Sequence, residues 1–237
     1  MKQQVIPDSA RVRDLIAQHV PQANKIQTEQ LITYYEMLIE RNNVMNLTAV
    51  TDPEGVVLRH FADSILPMGA IVNGASVIDV GTGAGLPGVP LRIMRPDIKL
   101  TLLDSLNKRI AFLDEVNAAL SLGAQTIHAR AEDGGRDKNL RERFDHALSR
   151  AVAELRIVAE WTLPFVKVGG SSIMYKGPGA SEELENASSA LKILNAKAKI
   201  LKFEPEWGER NIVIAEKTAP TPAKYPRKAG TAGKIPL

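Results

Sequence analysis

One glycine-rich stretch, residues 76–88, constrains the fold of this chain more than any other. It reads S-V-I-D-V-G-T-G-A-G-L-P-G, an apolar segment with Asp79 inside it, followed by glycines at 81, 83, 85 and 88. A backbone that turns tightly off a strand and approaches a ligand needs such small residues, because a Cβ atom would collide. Pro87 suits the first turn of a following helix, where a missing N–H leaves no bond unmade. The pattern predicts a strand, a glycine loop and a helix, an arrangement that commonly holds a nucleotide-like ligand.

The loop departs from the pattern of dinucleotide-binding proteins. Their fingerprint is G-x-G-x-x-G, whereas this chain has G-x-G-x-G and then Leu86 at the position of the third glycine. Asp79, two residues before the first glycine, favours a loop for S-adenosylmethionine (SAM) over one for a nicotinamide cofactor. A tight turn that binds nothing is the alternative, since glycine serves any such turn.

From residue 76 onward, strand-like runs alternate with helical patterns, which is typical of a parallel sheet. The predicted strands are 76–80, 99–104, 124–129, 145–149, 171–175, 200–203 and 211–216, the last two as an antiparallel pair. Amphipathic patterns predict earlier helices over 9–20, 28–43 and 53–67, with Thr28 capping the second. The expected fold is an α/β, mostly parallel, Rossmann-like sheet of seven strands with helices on both faces and an N-terminal helical extension.

Composition sets outer bounds on function. The chain has 237 residues, of which 44% are hydrophobic and 24% charged, which suits one soluble domain with an appendage. No apolar run approaches the ~18 residues of a membrane span, and residues 1–7 lack the apolar core of a secretion signal. The absence of cysteine excludes disulfides, thiol nucleophiles and cysteine-based zinc sites. We therefore expect a cytoplasmic protein.

Polar residues recur at the predicted carboxyl ends of successive strands, where an open α/β sheet binds its ligand. The second strand ends at Asp104, whose carboxylate could accept hydrogen bonds from ribose hydroxyls. Ala131 and Glu132 follow the third strand, where a backbone N–H and a carboxylate could read an adenine edge. The fourth strand ends at Ser149 and Arg150. Singly, such residues are more often helix caps or surface ion pairs, but together they predict one cleft.

Other titratable groups give weaker signals. His60 and Asp63 lie one helical turn apart, a spacing that is usually structural, so we name no catalytic residue. The remaining histidines lack the spacing of metal ligands, and no metal is expected. Lys176 begins K-G-P-G, which is not a phosphate loop but places a lysine at the end of the fifth strand.

The chain ends in a basic segment. From Lys217 onward there is no acidic residue, although the net charge of the whole chain is only +3. The cations of this segment could contact phosphates, and Tyr225 could stack on a base. From composition alone, a solvated, disordered tail is an equal alternative.

Short segments spread in order over nearly the whole chain match a known family. They are Asn46-Leu47-Thr48, Arg59-His60, Asp63-Ser64, residues 79–88, Leu103-Asp104-Ser105, Lys108-Arg109, Ala131-Glu132, Ser149-Arg150-Ala151, Tyr175-Lys176-Gly177, residues 224–228 and Pro236-Leu237. On these segments the chain resembles the bacterial 16S ribosomal RNA guanine-N7 methyltransferases, also called glucose-inhibited division protein B. The glycine loop and the closing segment are highly specific, and each tripeptide alone is weak.

The resemblance implies a SAM-dependent methyltransferase that methylates N7 of a guanine in 16S ribosomal RNA near the decoding centre. It implies SAM contacts from Gly81, Leu86, Ala131, Glu132 and Arg150, to which the physical reading adds Gly83 and Asp104. Position and charge predict RNA contacts from Lys108, Arg109, Arg150, Lys176, Lys224, Arg227 and Lys228. Guanine N7 has no proton to lose, so alignment of the reactants can suffice without a general base.

The predicted division is a helical extension (1–70), a SAM-dependent methyltransferase domain (71–217) and a basic C-terminal tail (218–237). We expect a monomer that acts on 16S ribosomal RNA or the small ribosomal subunit, with no membrane partner. Three alternatives stay open: a SAM methyltransferase acting on protein or a small molecule, an RNA-binding ribosome-assembly factor, and, more distantly, a dehydrogenase.

Overall fold

Seven strands form one sheet in the order β3-β2-β1-β4-β5-β7-β6. The strands are β1 (Ser76–Val80), β2 (Lys99–Asp104), β3 (Gln125–His128), β4 (Phe144–Arg150), β5 (Val166–Lys176), β6 (Ala196–Phe203) and β7 (Arg210–Lys217). Strands β1 to β5 are parallel, and β7 runs antiparallel to both of its neighbours, β5 and β6. The computed structural model describes residues 5–237, so residues 1–4 of the predicted extension lie outside the described residues. The predicted fold class, including the antiparallel final pair, is confirmed.

Strand β5 is longer than predicted. It begins at Val166, five residues before the predicted start at 171. A Cβ atom on Gly170 would lie 2.4 Å from the Asp145 carbonyl oxygen, so the glycine allows β4 and β5 to approach closely. The pairing between these strands also shifts register between Phe144 and His146. Glycine within a strand often marks such an irregularity.

Helices cover the sheet and open the chain. They are α1 (Ser9–His19), α2 (Lys25–Met45), α3 (Pro53–Gly55), α4 (Asp63–Ile65), α5 (Gly88–Met94), α6 (Asn107–Leu120), α7 (Ala131–Gly134), α8 (Leu155–Thr162), α9 (Ala180–Asn186), α10 (Ser188–Ile193) and α11 (Thr231–Lys234). A π-helical segment, Val56–Ala62, joins α3 to α4, and 3-10 turns span Leu66–Ala70 and Leu163–Phe165. None of the helices between residues 5 and 237 combines the length and apolar character of a membrane span.

Helix α2 starts earlier than predicted because Asn24, not Thr28, caps it. The Asn24 side chain accepts from the Gln27 N–H at 3.0 Å, and the Gln27 side chain accepts from the Asn24 N–H at 2.9 Å. This reciprocal pair satisfies two backbone donors at the start of the helix.

The N-terminal helices share the main hydrophobic core with one face of the sheet. Leu31 and Leu38 of α2 are buried in the same cluster as Leu100 of β2 and Leu113 of α6. The Tyr34 hydroxyl donates to the Ala84 carbonyl at 2.8 Å, so that α2 supports the glycine loop directly. The division into 1–70, 71–217 and 218–237 stays a prediction.

Candidate functional site

The strand order reverses between β1 and β4, and predicted site residues gather at the carboxyl ends of these strands and their neighbours. A cavity of about 310 Å³, the first cavity, opens beside this point. Its walls include four predicted cofactor contacts, Gly81, Asp104, Ala131 and Glu132. A reversal of strand order is where an open α/β sheet is expected to bind a ligand.

The glycine loop after β1 is fixed by its own backbone. The N–H groups of Gly81 and Thr82 donate to the Leu103 carbonyl at 2.9 and 3.1 Å, which ties the loop to β2. Gly81 has a φ of 72°, a left-handed conformation that favours glycine. A Cβ atom on Gly81 would lie 2.9 Å from the Val152 side chain. A glycine at position 81 therefore permits the turn and also avoids a clash with the Val152 side chain.

Asp79 holds the two ends of the glycine loop together from within the core. Its Oδ2 accepts hydrogen bonds from the Thr82 hydroxyl at 2.7 Å and from the Gly88 N–H at 2.9 Å. The carboxyl is fully buried, and burial raises the pKa of Asp79 to about 6. The acid that favoured a SAM loop in the sequence thus acts by shaping that loop.

Asp104 links the glycine loop to the start of α6. Its Oδ2 accepts from the Gly83 N–H at 2.9 Å and from Arg109 at 3.3 Å, and its Oδ1 accepts from the Leu106 N–H at 2.9 Å. Each carboxylate oxygen offers two lone pairs. Asp104 therefore keeps acceptor capacity on the wall of the first cavity.

The opposite wall comes from α7, α8 and the end of the chain. Glu132 is buried, and its Oε1 accepts from the Gly230 N–H at 3.0 Å. Gly233 and Trp161 line the same cavity. The Trp161 Nε1 is buried and has no hydrogen-bond partner among residues 5–237. Trp161 and both glycines are not among the predicted site residues, because only tertiary folding brings them to this wall.

Three predicted cofactor residues lie away from the lining of the first cavity. Leu86 packs in the main core, and the Gly83 N–H points to Asp104. Arg150 lines a different cavity. Direct SAM contacts from Leu86, Gly83 and Arg150 stay predictions.

A second cavity, of about 390 Å³, lies at the ends of β4 and β5. Ala151 lines the second cavity and the next residue, Val152, lines the first, so the two cavities flank the same turn after β4. The charged residues on its wall are Asp63, Arg150, Lys176, Glu183 and Arg210. With three cations and two carboxylates, this cavity carries one net positive charge.

Asp63 organises the charges of the second cavity. Its Oδ2 accepts from Arg150 at 3.1 Å, and its Oδ1 accepts from Arg210 at 2.7 Å and from the Trp207 indole at 3.4 Å. Arg210 is not among the predicted site residues, although the strand pattern contains a signal for it. Because β7 is antiparallel to β5, its first residues lie at the edge where β5 ends, as the pairing of Lys176 with Asn211 shows.

His60 and Asp63 do not form an acid–base pair. The His60 Nε2 lies 2.9 Å from the Thr48 hydroxyl, while the Asp63 carboxylate binds the two arginines. Burial lowers the pKa of His60 to about 4, so the imidazole is neutral at pH 7. Within residues 5–237, no group of three or more His, Asp or Glu side chains is placed to hold a metal ion.

The predicted RNA-binding residues fall into two groups. Lys108, Lys224 and Lys228 are exposed. Lys176 and Arg227 form ion pairs with Glu183 at 2.7 Å and with buried Glu160 at 2.6 Å. Arg109 and Arg150 are likewise paired, with Asp104 and Asp63. The exposed lysines are therefore the cations most accessible to a phosphate backbone.

The basic C-terminal tail is folded onto the domain, which corrects two expectations. Lys217 is fully buried, and its Nζ donates to Glu142 at 2.7 Å and to the Val166 carbonyl at 2.8 Å, so it is not a phosphate contact. Tyr225 is buried in a cluster with α8 side chains, so the prediction that it stacks on a base is wrong. Arg141 fixes this part of the chain by donating to the carbonyls of Thr221 and Tyr225 at 2.7 and 2.8 Å.

Comparisons with known proteins identify relatives of this chain over most of its length. The family model for rRNA small subunit methyltransferase G (GidB) matches residues 27–213. The chain is 48% identical to ribosomal RNA small subunit methyltransferase G of Streptococcus agalactiae over 217 residues, covering 89% of this chain and 92% of that one. It is 47% identical to the protein of the same name from Clostridium perfringens over 220 residues, covering 90% and 92%.

A solved structure supports the fold. The O-methyltransferase from Bacillus cereus, in complex with SAH, aligns with a TM-score of 0.56 over 87% of this chain and 97% of its own. The two sequences are 15% identical, so the likeness concerns the architecture of the sheet and its helices.

Proposed function

We propose that this chain, which belongs to the rRNA small subunit methyltransferase G family, transfers a methyl group from SAM to N7 of a guanine in 16S ribosomal RNA near the decoding centre. The observation that carries this proposal is the placing of two cavities on either side of the turn after β4. One has the features of a cofactor site, and the other, with its surplus of cations, suits a nucleotide. A methyl group held between them would face both.

The residues of the first cavity fit SAM. Asp104 presents a carboxylate suited to ribose hydroxyls, and the second oxygen of Glu132 is available to an adenine amino group. Trp161 adds an aromatic side chain with an unpartnered indole N–H among the described residues. The volume of about 310 Å³ lies within the range of small-molecule sites, roughly 300–1,000 Å³.

The second cavity suits a guanine nucleotide turned out of the RNA. Arg150, Arg210 and Lys176 place positive charge where a phosphate group or guanine O6 would lie. Asp63 holds both arginines, so their guanidinium groups are positioned before RNA arrives. The exposed residues Lys108 and Lys228 offer accessible positive charge to the rest of the RNA.

The proposed reaction requires alignment of the methyl donor with guanine N7 rather than proton transfer. SAM supplies a methyl group activated by its sulfonium. Guanine N7 would accept that methyl group as its bond to sulfur broke, with the electron pair left on sulfur and no proton lost from the base. Neutral, buried His60 and the fully engaged Asp63 agree with a site that contains no general base. Alignment of this kind can supply up to ~7–11 kcal/mol. A cytoplasmic location would follow from such a substrate.

Transfer of a labelled methyl group tests the proposal. Wild-type protein is incubated with labelled SAM and either deproteinised 16S RNA or intact small subunits, and the product is mapped chemically for 7-methylguanine. We expect incorporation at one guanine in at least one of the two substrates. Binding of SAM without any transfer to RNA would support a protein or small-molecule substrate, and absence of SAM binding would support an assembly factor; either result would overturn the proposal.

A further inference from the structure

The C-terminal segment (residues 227–234) is anchored at its start to α8. Arg227 donates to the carboxylate of Glu160 from Nη2 at 2.6 Å, from Nε at 2.9 Å and from its backbone N–H at 2.7 Å. Glu160 is fully buried. A buried carboxylate needs a compensating charge, and Arg227 provides it. This ion pair therefore fixes the position of the segment.

The segment then forms part of the lining of the first cavity. The Gly230 N–H donates to Glu132 Oε1 at 3.0 Å, and Gly230 has a φ of 79°. Ala232 is buried, which holds the segment against the domain. Gly230 and Gly233 both line the cavity, where the absence of side chains leaves its space open.

We infer that the C-terminal segment is a wall of the SAM site, with Gly230 and Arg227 as positioning residues for the cofactor. The inference rests on the proposed function. It reassigns Arg227 from RNA binding to the support of this wall, and it gives Glu132 two tasks. One carboxylate oxygen holds the segment, and the other remains for the ligand.

Helix α8 links the anchor of the C-terminal segment to the first cavity. Glu160 of α8 holds Arg227, and the next residue, Trp161, lines the first cavity. The anchor of the segment and one wall of the cavity are thus consecutive residues of α8. Loosening the anchor should displace Gly230 relative to Trp161 and enlarge the cavity.

The test is a pair of glycine variants in the full-length protein, Gly230→Ala and Gly169→Ala. Gly169 has a φ of 85°, is exposed like Gly230, and an added Cβ meets nothing within 4 Å at either position. Both positions have a positive φ, so alanine is strained at each of them without a steric clash. We expect Gly230→Ala to raise the KM for SAM about five- to ten-fold, with kcat and the KM for RNA unchanged. Gly169→Ala should keep all three at wild-type values.

Arg227→Lys provides a second variant that keeps the charge opposite Glu160 but loses the forked geometry. We expect a higher KM for SAM and an unchanged affinity for RNA. An unchanged KM for SAM in both Gly230→Ala and Arg227→Lys, with wild-type melting temperatures, would overturn the inference. So would a weaker affinity for RNA in Arg227→Lys without an effect on SAM. If the wild type itself failed to bind SAM, the proposed function would be overturned first and the inference with it.

Discussion

The two cavities that flank the turn after β4 are built on different principles. The first is shaped by backbone hydrogen bonds and residues without side chains, with Asp79 holding the glycine loop from inside. The second is shaped by ion pairs around Asp63, which join side chains from distant parts of the chain. A rigid loop suits a cofactor of constant shape. Paired arginines suit an anionic polymer, because a phosphate can compete for their donors.

This difference predicts how each cavity responds to mutation. Damage to the first should act through space and backbone conformation and affect SAM. Damage to the second should act through charge and affect RNA. Of the four variants below, Gly81→Val, Arg210→Ala and Lys228→Ala separate these effects. The fourth, Asp79→Asn, tests the buried carboxyl that holds the glycine loop.

The largest effect is expected for Gly81→Val. A β-branched side chain is strained at a φ of 72°, and its Cβ would lie 2.9 Å from the Val152 side chain. SAM binding measured by calorimetry should weaken at least ~1,000-fold. Gly123→Val is the control, since Gly123 has a φ of 63° but lies in the α6–β3 connection with open space around it. If Gly81→Val kept its affinity for SAM, the glycine loop would not be part of the cofactor site.

Asp79→Asn should change the pH dependence of stability. Burial raises the pKa of Asp79 to about 6, so the folded protein holds this proton more tightly than the unfolded chain does. The wild type should therefore lose up to roughly 3 kcal/mol from this group as pH rises from about 4 to 6. Urea unfolding at several pH values should show that Asp79→Asn lacks this loss.

Asp97→Asn is a control in which the change of stability with pH has the opposite sign. The Arg95 guanidinium holds the pKa of Asp97 well below its usual range, so its contribution is lost as pH falls below about 4. Identical pH profiles for the wild type and Asp79→Asn would contradict the buried, pKa-shifted carboxyl.

Arg210→Ala should impair RNA and spare SAM. The variant removes a charged hydrogen bond of 2.7 Å and leaves Asp63 with less compensation. The kcat/KM for RNA should fall ~10- to 100-fold, while the dissociation constant of SAM stays at the wild-type value. Arg210→Lys should restore part of the activity. A parallel loss of SAM affinity would show that the cavities are not separate in function.

The smallest effect is expected for Lys228→Ala. This exposed lysine makes a phosphate contact in our account, so RNA affinity should fall a few-fold and the salt slope by about 1. Lys197→Ala on β6, at the far edge of the sheet, is the matched control and should leave both unchanged. Equal effects of the two variants would indicate diffuse charge rather than a contact.

The sequence predicted the first cavity better than the second because its main parts are local. Gly81 follows β1 directly, Asp104 is the last residue of β2, and Glu132 lies in the short helix after β3. Parallel strands bring their carboxyl ends to one edge of the sheet. Arg210 was missed because its position depends on the reversed direction of β7. Trp161 was missed because a tryptophan in an amphipathic helix usually packs in the core.

The C-terminal segment shows more clearly that a sequence pattern does not reveal contacts between distant parts of the chain. Composition marked Lys217, Tyr225 and Arg227 as residues available to RNA, yet all three are engaged by partners far away in the sequence. A count of charges cannot reveal that Glu142 and Glu160 are the counter-ions. Such pairing becomes visible only in the folded chain.

The most direct test of the division between the cavities is a fluorescence titration with SAM, because the chain has only two tryptophans. Trp161 lines the first cavity, and the Trp207 indole donates to Asp63 of the second. We predict that the SAM-dependent signal persists in Trp207→Phe and disappears in Trp161→Phe, with binding to both variants verified by calorimetry. A signal that persists in Trp161→Phe and disappears in Trp207→Phe would place SAM in the second cavity and contradict the account.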